Sequence, residues 1–581
     1  MNHSIPKVLA VVEAHHPVVP LFNSNPEVFD SIRQLAIESF PGTVGCDVLR
    51  IGYESEGQKP ITLIIKVKPD MVSWEQGSRL AHDMERLLRR FNISDVRCEV
   101  YEAPFCPYGG GSSATAREVP ETLSTGSQEA RDAVADEFAT LEVSDSSSTA
   151  LQTVGVSVDV RSTCKEAVEA QAVEDVANTG LFLSTEGLWD LRCRFAAVFR
   201  NDVFQFTPYL SPSIGAMSNP GISGSSGLHA HLLQNCGYNG IRRIPIMITA
   251  RHVVCSKGDT RVVSQLGISE SPSEPIRVVQ PSQGRLDSIL PELAKALDDL
   301  DQNIHHLEEW VDPAERNEHQ AEILSDTALS RERCKTFLEH CESHIQPASR
   351  NVGNVIASPA IGVFRNTMRD WAVVQFHSSI LTPLHARNLV NVTNIPRVQL
   401  ACATDQDGVM EIKTYFTREA IVERDPSLPN RLTSDDAGIP KRGNIEAYMV
   451  GGSSGGSWGT INSMMSYNWE SSSTIEFYAV IAGKKVHTFS DKGDSGSVVF
   501  SVLPARLASS TFPLSPSRRG AQSMERPVPG VIGMLWGGHN YDYHSRIEYD
   551  ISFVIPFESI KEDIEEFTGC RLEFGTESQE V

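Results

Sequence analysis

A serine stands between two glycines and behind an acid in the segment GDSGS (493–497). The apolar run VVF (498–500) follows at once and predicts a strand. A tight turn would explain the glycines, and so would a nucleophile whose neighbours bring backbone N–H groups close to a reacting carbonyl. Because a serine hydroxyl needs a base beside it to become a nucleophile, the rest of the chain must decide between these two interpretations.

Two other segments supply a base and an acid, each beside a predicted strand. The apolar stretch IPIMITA (244–250) leads into Arg251 and His252, and Asp370 stands directly before the apolar stretch WAVVQF (371–376). Asp405 and Asp407 are competing acids, but no apolar strand follows them. A histidine base held by an acid is the arrangement that activates a serine, so the pattern predicts a nucleophilic centre.

The segments ITARHVV (248–254), RDWAVVQF (369–376) and GDSGS, in this order, resemble the chymotrypsin/trypsin-like serine proteases. The resemblance covers roughly residues 204 to 570, and the chain looks most like intracellular fungal members. It implies a mainly β fold, a double β-barrel, and a serine endopeptidase that hydrolyses peptide bonds through an acyl-enzyme intermediate. The order of the three motifs makes the joint signal much stronger than any one of them.

The family's pattern assigns roles to single residues of this chain. His252, Asp370 and Ser495 match its catalytic histidine, aspartate and serine, and the N–H groups of Gly493 and Ser495 match its oxyanion hole. Removing one such N–H donor typically costs about a hundredfold in rate or more.

The resemblance also places the primary specificity pocket. The segment GVIGMLWGGHN (530–540) resembles the strand that lines this pocket, so Trp536, Gly537 and Gly538 would form its walls. Phe489 falls at the position of the residue at the pocket's base. Because that residue is not an acid, a preference for Lys or Arg is not expected, and we expect an apolar substrate side chain.

The chain departs from the family at several points. No activation-site N-terminus precedes the barrel, so a liberated amine is not an obvious partner for Asp494, and Ser497 replaces the usual glycine. A pairing of Cys255 with Cys236 would require an oxidising compartment. These departures keep two alternatives open: a pseudoprotease that acts as a protein-binding module, and a protease that cleaves only its own chain.

Composition and charge narrow the location and the partners. The chain has 581 residues and a formal net charge of -23, which disfavours binding to nucleic acid or to an anionic membrane. The 11 cysteines contain no CxxC pair, and we predict reduced thiols in an intracellular protein without a signal peptide or transmembrane segment. No cofactor is expected. His340 and His344 could share a helix face as a metal pair, but we favour a solvated surface and predict no metal.

The predicted domains are a small α/β domain (1–105), a flexible acidic and Ser-rich linker (106–180), the protease domain (181–570) and a tail (571–581). The first domain has predicted helices at 24–40 and 74–91 and strands at 44–53, 61–69 and 95–103.

A helical insertion (285–345) interrupts the predicted β domain. Its apolar positions 289, 293, 297, 300, 304, 307 and 311 have coiled-coil spacing, and a break at Asp312-Pro313 predicts a hairpin. A final helix is predicted at 558–569, ended by Gly569. Besides a protein or peptide substrate, a protein partner could bind through the insertion or the N-terminal domain.

Overall fold

The computed structural model describes residues 7–102, 204–422 and 445–574 with short gaps. The predicted linker, residues 575–581 of the tail, Asp405 and Asp407 lie outside the described residues. The gaps are at 15, 54–55, 69–70, 237–239, 256–262, 265–274, 311–316, 382–386, 394, 396–397, 399–407, 471–472, 484–487, 505–526 and 541–549.

Strands are the most frequent elements of the described residues. The strands are β1 Lys7–Ala10, β2 Thr43–Tyr53, β3 Ile61–Val67, β4 Val96–Glu102, β5 Ser213–Ala216, β6 Gly224–Ser225, β7 Leu228–Asn235, β8 Ile241–Thr249, β9 Val263–Ser264, β10 Arg277–Val279, β11 Asn351–Ser358, β12 Gly362–Phe364, β13 Thr367–Arg369, β14 Ala372–Phe376, β15 Leu389–Asn391, β16 Val409–Glu411, β17 Thr414–Tyr415, β18 Ile445–Gly451, β19 Gly455–Glu470, β20 Ser473–Ala482, β21 Val498–Pro504, β22 Pro527–Asn540, β23 Asp550–Pro556 and β24 Arg571–Glu573. The helices are α1 Val18–Ser24, α2 Pro26–Ser39, α3 Trp74–Arg90, α4 Arg251–Val254, α5 Gln283–Trp310, α6 Glu318–Ser343, α7 Arg418–Val422 and α8 Phe557–Thr568.

Two large sheets build most of the β part of the described residues, and β15 and β16 form a separate two-stranded sheet. The first has the strand order β24-β7-β8-β14-β11-β10-β5-β6. In the second, β19-β20-β23-β22-β21-β18 are neighbours, and β18 pairs with β19 so that these six strands close into a barrel, which we call the second barrel because it lies in the second sheet. The predicted fold class is confirmed: the described residues are mainly β and include a closed β-barrel, with a helical hairpin inserted and a small α/β region in front.

The base of the inserted hairpin, where α5 begins and α6 ends, has a hydrophobic cluster of its own. Leu286, Ile289 and Leu293 of α5 form a buried cluster with Phe337 of α6 and Phe206. Farther along α5 the apolar positions are only half-buried. The coiled-coil spacing is therefore used as a core at the base of the hairpin, while its outer part faces solvent.

The N-terminal region shares a sheet with the second barrel. The α3 helix begins at a capping box between Ser73 and Gln76 and packs on this sheet. Strand β2 pairs with β19, with Cys46 opposite Tyr467, so β2, β3 and β4 extend the sheet that contains the barrel. The predicted domain boundary near residue 105 stays a prediction.

No helix among the described residues is both long and apolar enough to cross a membrane. The cysteines of the described part of the chain, Cys236 and Cys255 among them, form no disulfide with one another.

Candidate active site

Strand pairing brings His252 and Asp370 together. The buried residues Ile246, Met247 and Ile248 hold β8 in the first sheet, and β14 pairs with it so that Thr249 lies opposite Ala372. His252 follows the end of β8, and Asp370 precedes the start of the antiparallel β14. Because neighbouring antiparallel strands run in opposite directions, the end of one lies beside the start of the other.

The side chains of His252 and Asp370 are hydrogen-bonded. Nδ1 of His252 lies 2.6 Å from Oδ2 of Asp370, and the backbone N–H of His252 donates to Oδ1 over 3.0 Å. A carboxylate accepts, so the Nδ1 nitrogen carries the hydrogen in this bond. The neutral ring then keeps a lone pair on Nε2, the nitrogen that can take a proton from a nucleophile.

Trp536 is a second partner of Asp370. Its indole N–H donates to Asp370 Oδ2 over 2.9 Å. Burial of Asp370 would raise the pKa of its carboxyl, but the charge of the protonated form of His252 and the hydrogen bonds from His252 and Trp536 outweigh burial, and the pKa is lowered. Asp370 is therefore ionised at neutral pH although it is only 2 % exposed.

Two left-handed glycines shape the turn that carries Ser495. Gly493 has φ +102 and Gly496 has φ +91, conformations that favour glycine. A Cβ on Gly496 would lie 2.5 Å from Thr249 Oγ1 and 3.2 Å from the backbone nitrogen of Ala250, so the absent side chain lets the turn reach the end of β8. Ser495 is thereby brought close to the segment that leads into His252.

Ser495 is held by hydrogen bonds of both its backbone and its side chain. Its carbonyl accepts the N–H of Ser225 over 2.8 Å, and its hydroxyl donates to the carbonyl of Trp536 over 3.2 Å. Trp536 thus contacts both Ser495 and Asp370. This link was missed at the sequence level, where Trp536 was assigned only to a pocket wall.

Backbone N–H groups are the partners of Asp494. Its Oδ1 accepts from Ser453 and Ser454 over 2.8 and 3.1 Å, and its Oδ2 accepts from Asp491 over 2.8 Å. Ser453 and Ser454 lie in the turn between β18 and β19. Burial raises the pKa of the Asp494 carboxyl, and these hydrogen bonds oppose that rise. The carboxylate of Asp494 therefore has hydrogen-bond donors from the chain's own backbone and does not need a liberated amine as its partner.

The predicted pocket residues Trp536 and Phe489 belong to two different hydrophobic clusters. Trp536 belongs to the cluster that includes Phe477, on which its ring stacks at 4.8 Å, and the fully buried Phe489 belongs to the other. Gly537 and Gly538 pair with β23. The role of these four residues in substrate binding stays a prediction.

No group of three or more His, Cys, Asp or Glu residues in the described part of the chain could hold a metal ion. His340 and His344, the pair considered from the sequence, lie with ring centroids 4.6 Å apart at the base of the hairpin. Both rings pack against Phe206, and the Nδ1 of His344 is hydrogen-bonded locally, to the carbonyl of His340 and the hydroxyl of Ser343.

The sequence matches no protein-family model and no curated protein. Among solved structures, the Nocardiopsis protease NAPase is similar at 12% identity and a TM-score of 0.26, covering 63% of this chain and 98% of that one. The chymotrypsin of Cellulomonas bogoriensis is similar at 12% identity and a TM-score of 0.19, covering 39% of this chain and 76% of that one. The fold described above follows from the strand pairing of this chain and not from these two likenesses.

Proposed function

We propose that this chain is a serine endopeptidase that cleaves peptide bonds in a protein or peptide substrate through an acyl-enzyme intermediate. The observation that carries this proposal is the 2.6 Å hydrogen bond between His252 Nδ1 and Asp370 Oδ2, next to the turn that holds Ser495. A buried carboxylate, a histidine and a serine in this arrangement are suited to nucleophilic attack on a carbonyl.

In the proposed reaction, the Oγ of Ser495 attacks the peptide carbonyl and its proton passes to Nε2 of His252. The histidine then gives that proton to the leaving amine. Asp370 keeps the hydrogen on Nδ1 and stabilises the imidazolium that forms, and it stays ionised because its pKa is lowered. Water attacks the acyl-enzyme by the same route in reverse.

The N–H groups of Gly493 and Ser495 stabilise the negative charge that develops on the substrate oxygen by donating hydrogen bonds to it. Such donors are effective only if they are held in place before the reaction begins. Asp494 lies between these two residues, and its three backbone hydrogen bonds fix the turn. We assign Asp494 as a positioning residue for the oxyanion hole.

We place the primary substrate pocket at Trp536, Gly537 and Gly538, with Phe489 at its base and an apolar side chain as the preferred occupant. We further propose an intracellular location, with protein partners reached through the helical hairpin or the N-terminal region. The net charge of -23 argues against nucleic acid and membrane partners.

The burial of the nucleophile favours a second candidate function. Ser495 has no exposed surface and Trp536 is 2 % exposed, so the site is closed to a large substrate in this conformation. A binding module that keeps the protease fold would be closed in this way. A protease restricted to its own linker would also need no access for other proteins.

The proposal is tested by incubating the full-length protein with unfolded casein and identifying the products by mass spectrometry. We expect new peptides that end in apolar residues, and no such peptides from Ser495→Ala or His252→Ala. Fragments of the chain itself, with intact casein, would favour the self-cleaving alternative. Intact casein and an intact chain would favour the binding module.

A further inference from the structure

A cavity of about 550 Å³ lies between the N-terminal helices and the second barrel. Asn23 and Arg33 line it from the side of α1 and α2, and Glu476 lines it from β20. The turn between β12 and β13 contributes Arg365, and Arg418 begins α7. None of these residues belongs to the site proposed for catalysis.

Two polar side chains at this cavity have unused hydrogen-bonding atoms. The amide nitrogen of Asn23 donates to the carbonyl of Ser463 over 2.9 Å, but its Oδ1 is buried and accepts no hydrogen bond. Nε of Arg33 is likewise buried and has no acceptor. A buried donor or acceptor left without a partner costs folding free energy, so these two atoms point to an occupant that supplies an acceptor and a donor.

The charges around the cavity single out Arg33. Arg365 is paired with Glu562 and Glu566 over 2.7 and 2.8 Å. Nη1 of Arg418 lies 2.5 Å from Oε2 of Glu476. The two groups form an ion pair, although their geometry is not that of a hydrogen bond. Among the cations lining this part of the described structure, Arg33 has no carboxylate partner, so it is the one available to an anionic group.

Aromatic side chains form an apolar wall beside these polar groups. Phe22 and Phe29 of the helices and Tyr467 of β19 line the cavity, and the rings of Phe29 and Tyr467 are 4.1 Å apart. Such a wall suits an apolar side chain of the occupant.

We propose that this cavity binds a short peptide that ends in an apolar residue with a free carboxylate. The carboxylate binds Arg33, a peptide N–H donates to Asn23 Oδ1, and the terminal side chain packs against Phe22 and Phe29. The carboxylates of Asp30 and Glu476 also line the cavity and would repel a dianion such as phosphate, whereas a single negative charge is matched by Arg33. The binding goes beyond the proposed function and does not require catalysis at Ser495.

The test uses the full-length chain carrying Ser495→Ala, so that the probe peptide cannot be cleaved. Isothermal titration calorimetry compares N-acetyl-Ala-Phe, which has a free carboxylate, with its C-terminal amide. We expect the acid to bind with a Kd of roughly 10–100 µM, and the amide about tenfold more weakly or worse because its contact with Arg33 lacks a charge.

Adding Arg33→Ala should remove the preference for the acid, and Arg33→Gln should do the same while keeping more of the side chain's volume. Arg90→Ala removes the same charge from an exposed position at the end of α3, and we expect it to bind the acid like the parent. Peptide bound at the site of Ser495 would not respond to Arg33. Equal binding of acid and amide, binding unaffected by a folded Arg33 variant, or no binding at millimolar peptide would each overturn the proposal.

Discussion

At the scale of single residues, Trp536 connects the two ends of the proposed relay. Its indole N–H donates to Asp370 and its carbonyl accepts from Ser495. The ring also stacks on Phe477, with centroids 4.8 Å apart, which keeps the indole N–H aimed at the carboxylate. Trp536 therefore contacts Asp370 through its side chain and Ser495 through its backbone.

Trp536→Phe keeps an aromatic ring but removes the donor to Asp370. We expect modification of Ser495 by a fluorophosphonate to slow about tenfold, since a hydrogen bond to a charged group contributes about 1.5–3 kcal/mol. The matched control is Trp469→Phe, because the buried Nε1 of Trp469 has no hydrogen-bond partner to lose. Equal rates for both variants would contradict a role for the indole of Trp536.

The lowered pKa of Asp370 makes its contribution to stability depend on pH. A carboxyl whose pKa is lower in the folded state than the ordinary 3.8 stabilises the fold above that pH, and this stabilisation is lost as pH falls through the folded value. We expect wild type to have a higher free energy of unfolding than Asp370→Asn at pH 5. The difference should narrow below pH 3.8. Urea denaturation at several pH values measures it, and a difference that is unchanged at pH 3 would contradict the assignment.

At the scale of elements, the turn between β18 and β19 holds the turn that carries Ser495. Ser453 and Ser454 donate their backbone N–H groups to Asp494, and Gly452 donates its N–H to Ser225 over 2.9 Å. Ser225 in turn donates to the carbonyl of Ser495. Residues 452–454 therefore anchor the turn that carries Ser495. These hydrogen bonds come from within the chain, so they do not require a cleaved N-terminus.

Gly451→Ala tests this anchor, because a Cβ at Gly451 would overlap Oδ1 of Asp494. Asp494 must shift, so we expect at least a hundredfold slower modification of Ser495, as for loss of an oxyanion donor, and about 1–3 kcal/mol lower stability. Gly57→Ala is the control, since a Cβ there meets nothing within 4 Å. Unchanged labelling kinetics in Gly451→Ala would show that the anchor does not position the oxyanion hole.

Local patterns in the sequence predicted the elements, while contacts between distant segments could not be predicted. The helix expected at 74–91 forms as Trp74–Arg90 because its apolar spacing and its capping box are local signals. Motif order likewise paired His252 with Asp370, and their side chains are hydrogen-bonded, while their catalytic roles stay predictions. The pairing of β2 with β19 has no local signal. The donors to Asp494 have no local signal either, because they are backbone N–H groups, which nearly every residue type supplies.

At the scale of the whole molecule, a buried ion pair lies where the N-terminal region meets the second barrel. Lys66 on β3 is fully buried, with Nζ 3.3 Å from Asp47 Oδ2 and 2.9 Å from Asn468 Oδ1 on β19. Ser466 of β19 also donates to Asp47, and Lys66 lies 5.0 Å from the ring of Phe553 on β23. The N-terminal sheet is thus bonded to the barrel by side chains as well as by backbone pairing.

Lys66→Met leaves the carboxylate of Asp47 buried without its cation. We expect a loss of about 3–5 kcal/mol in stability. Because the two regions share a sheet, differential scanning calorimetry should record one transition that moves as a whole to lower temperature. Lys68→Met, at an exposed position, is the control and should change little. Two transitions of which only one moves would indicate that residues 1–105 unfold as a separate domain.

The most direct test of the central claim is covalent labelling of the folded, full-length protein by a fluorophosphonate, with the modified residue located by mass spectrometry. Such reagents react with a serine that a neighbouring base has activated. We predict one adduct, on Ser495, in the wild-type protein, and no adduct in His252→Ala, where the serine is intact and the base is gone. An unlabelled wild-type protein that is shown to be folded, or labelling of Ser495 that persists without His252, would contradict the proposal that this chain is a serine endopeptidase.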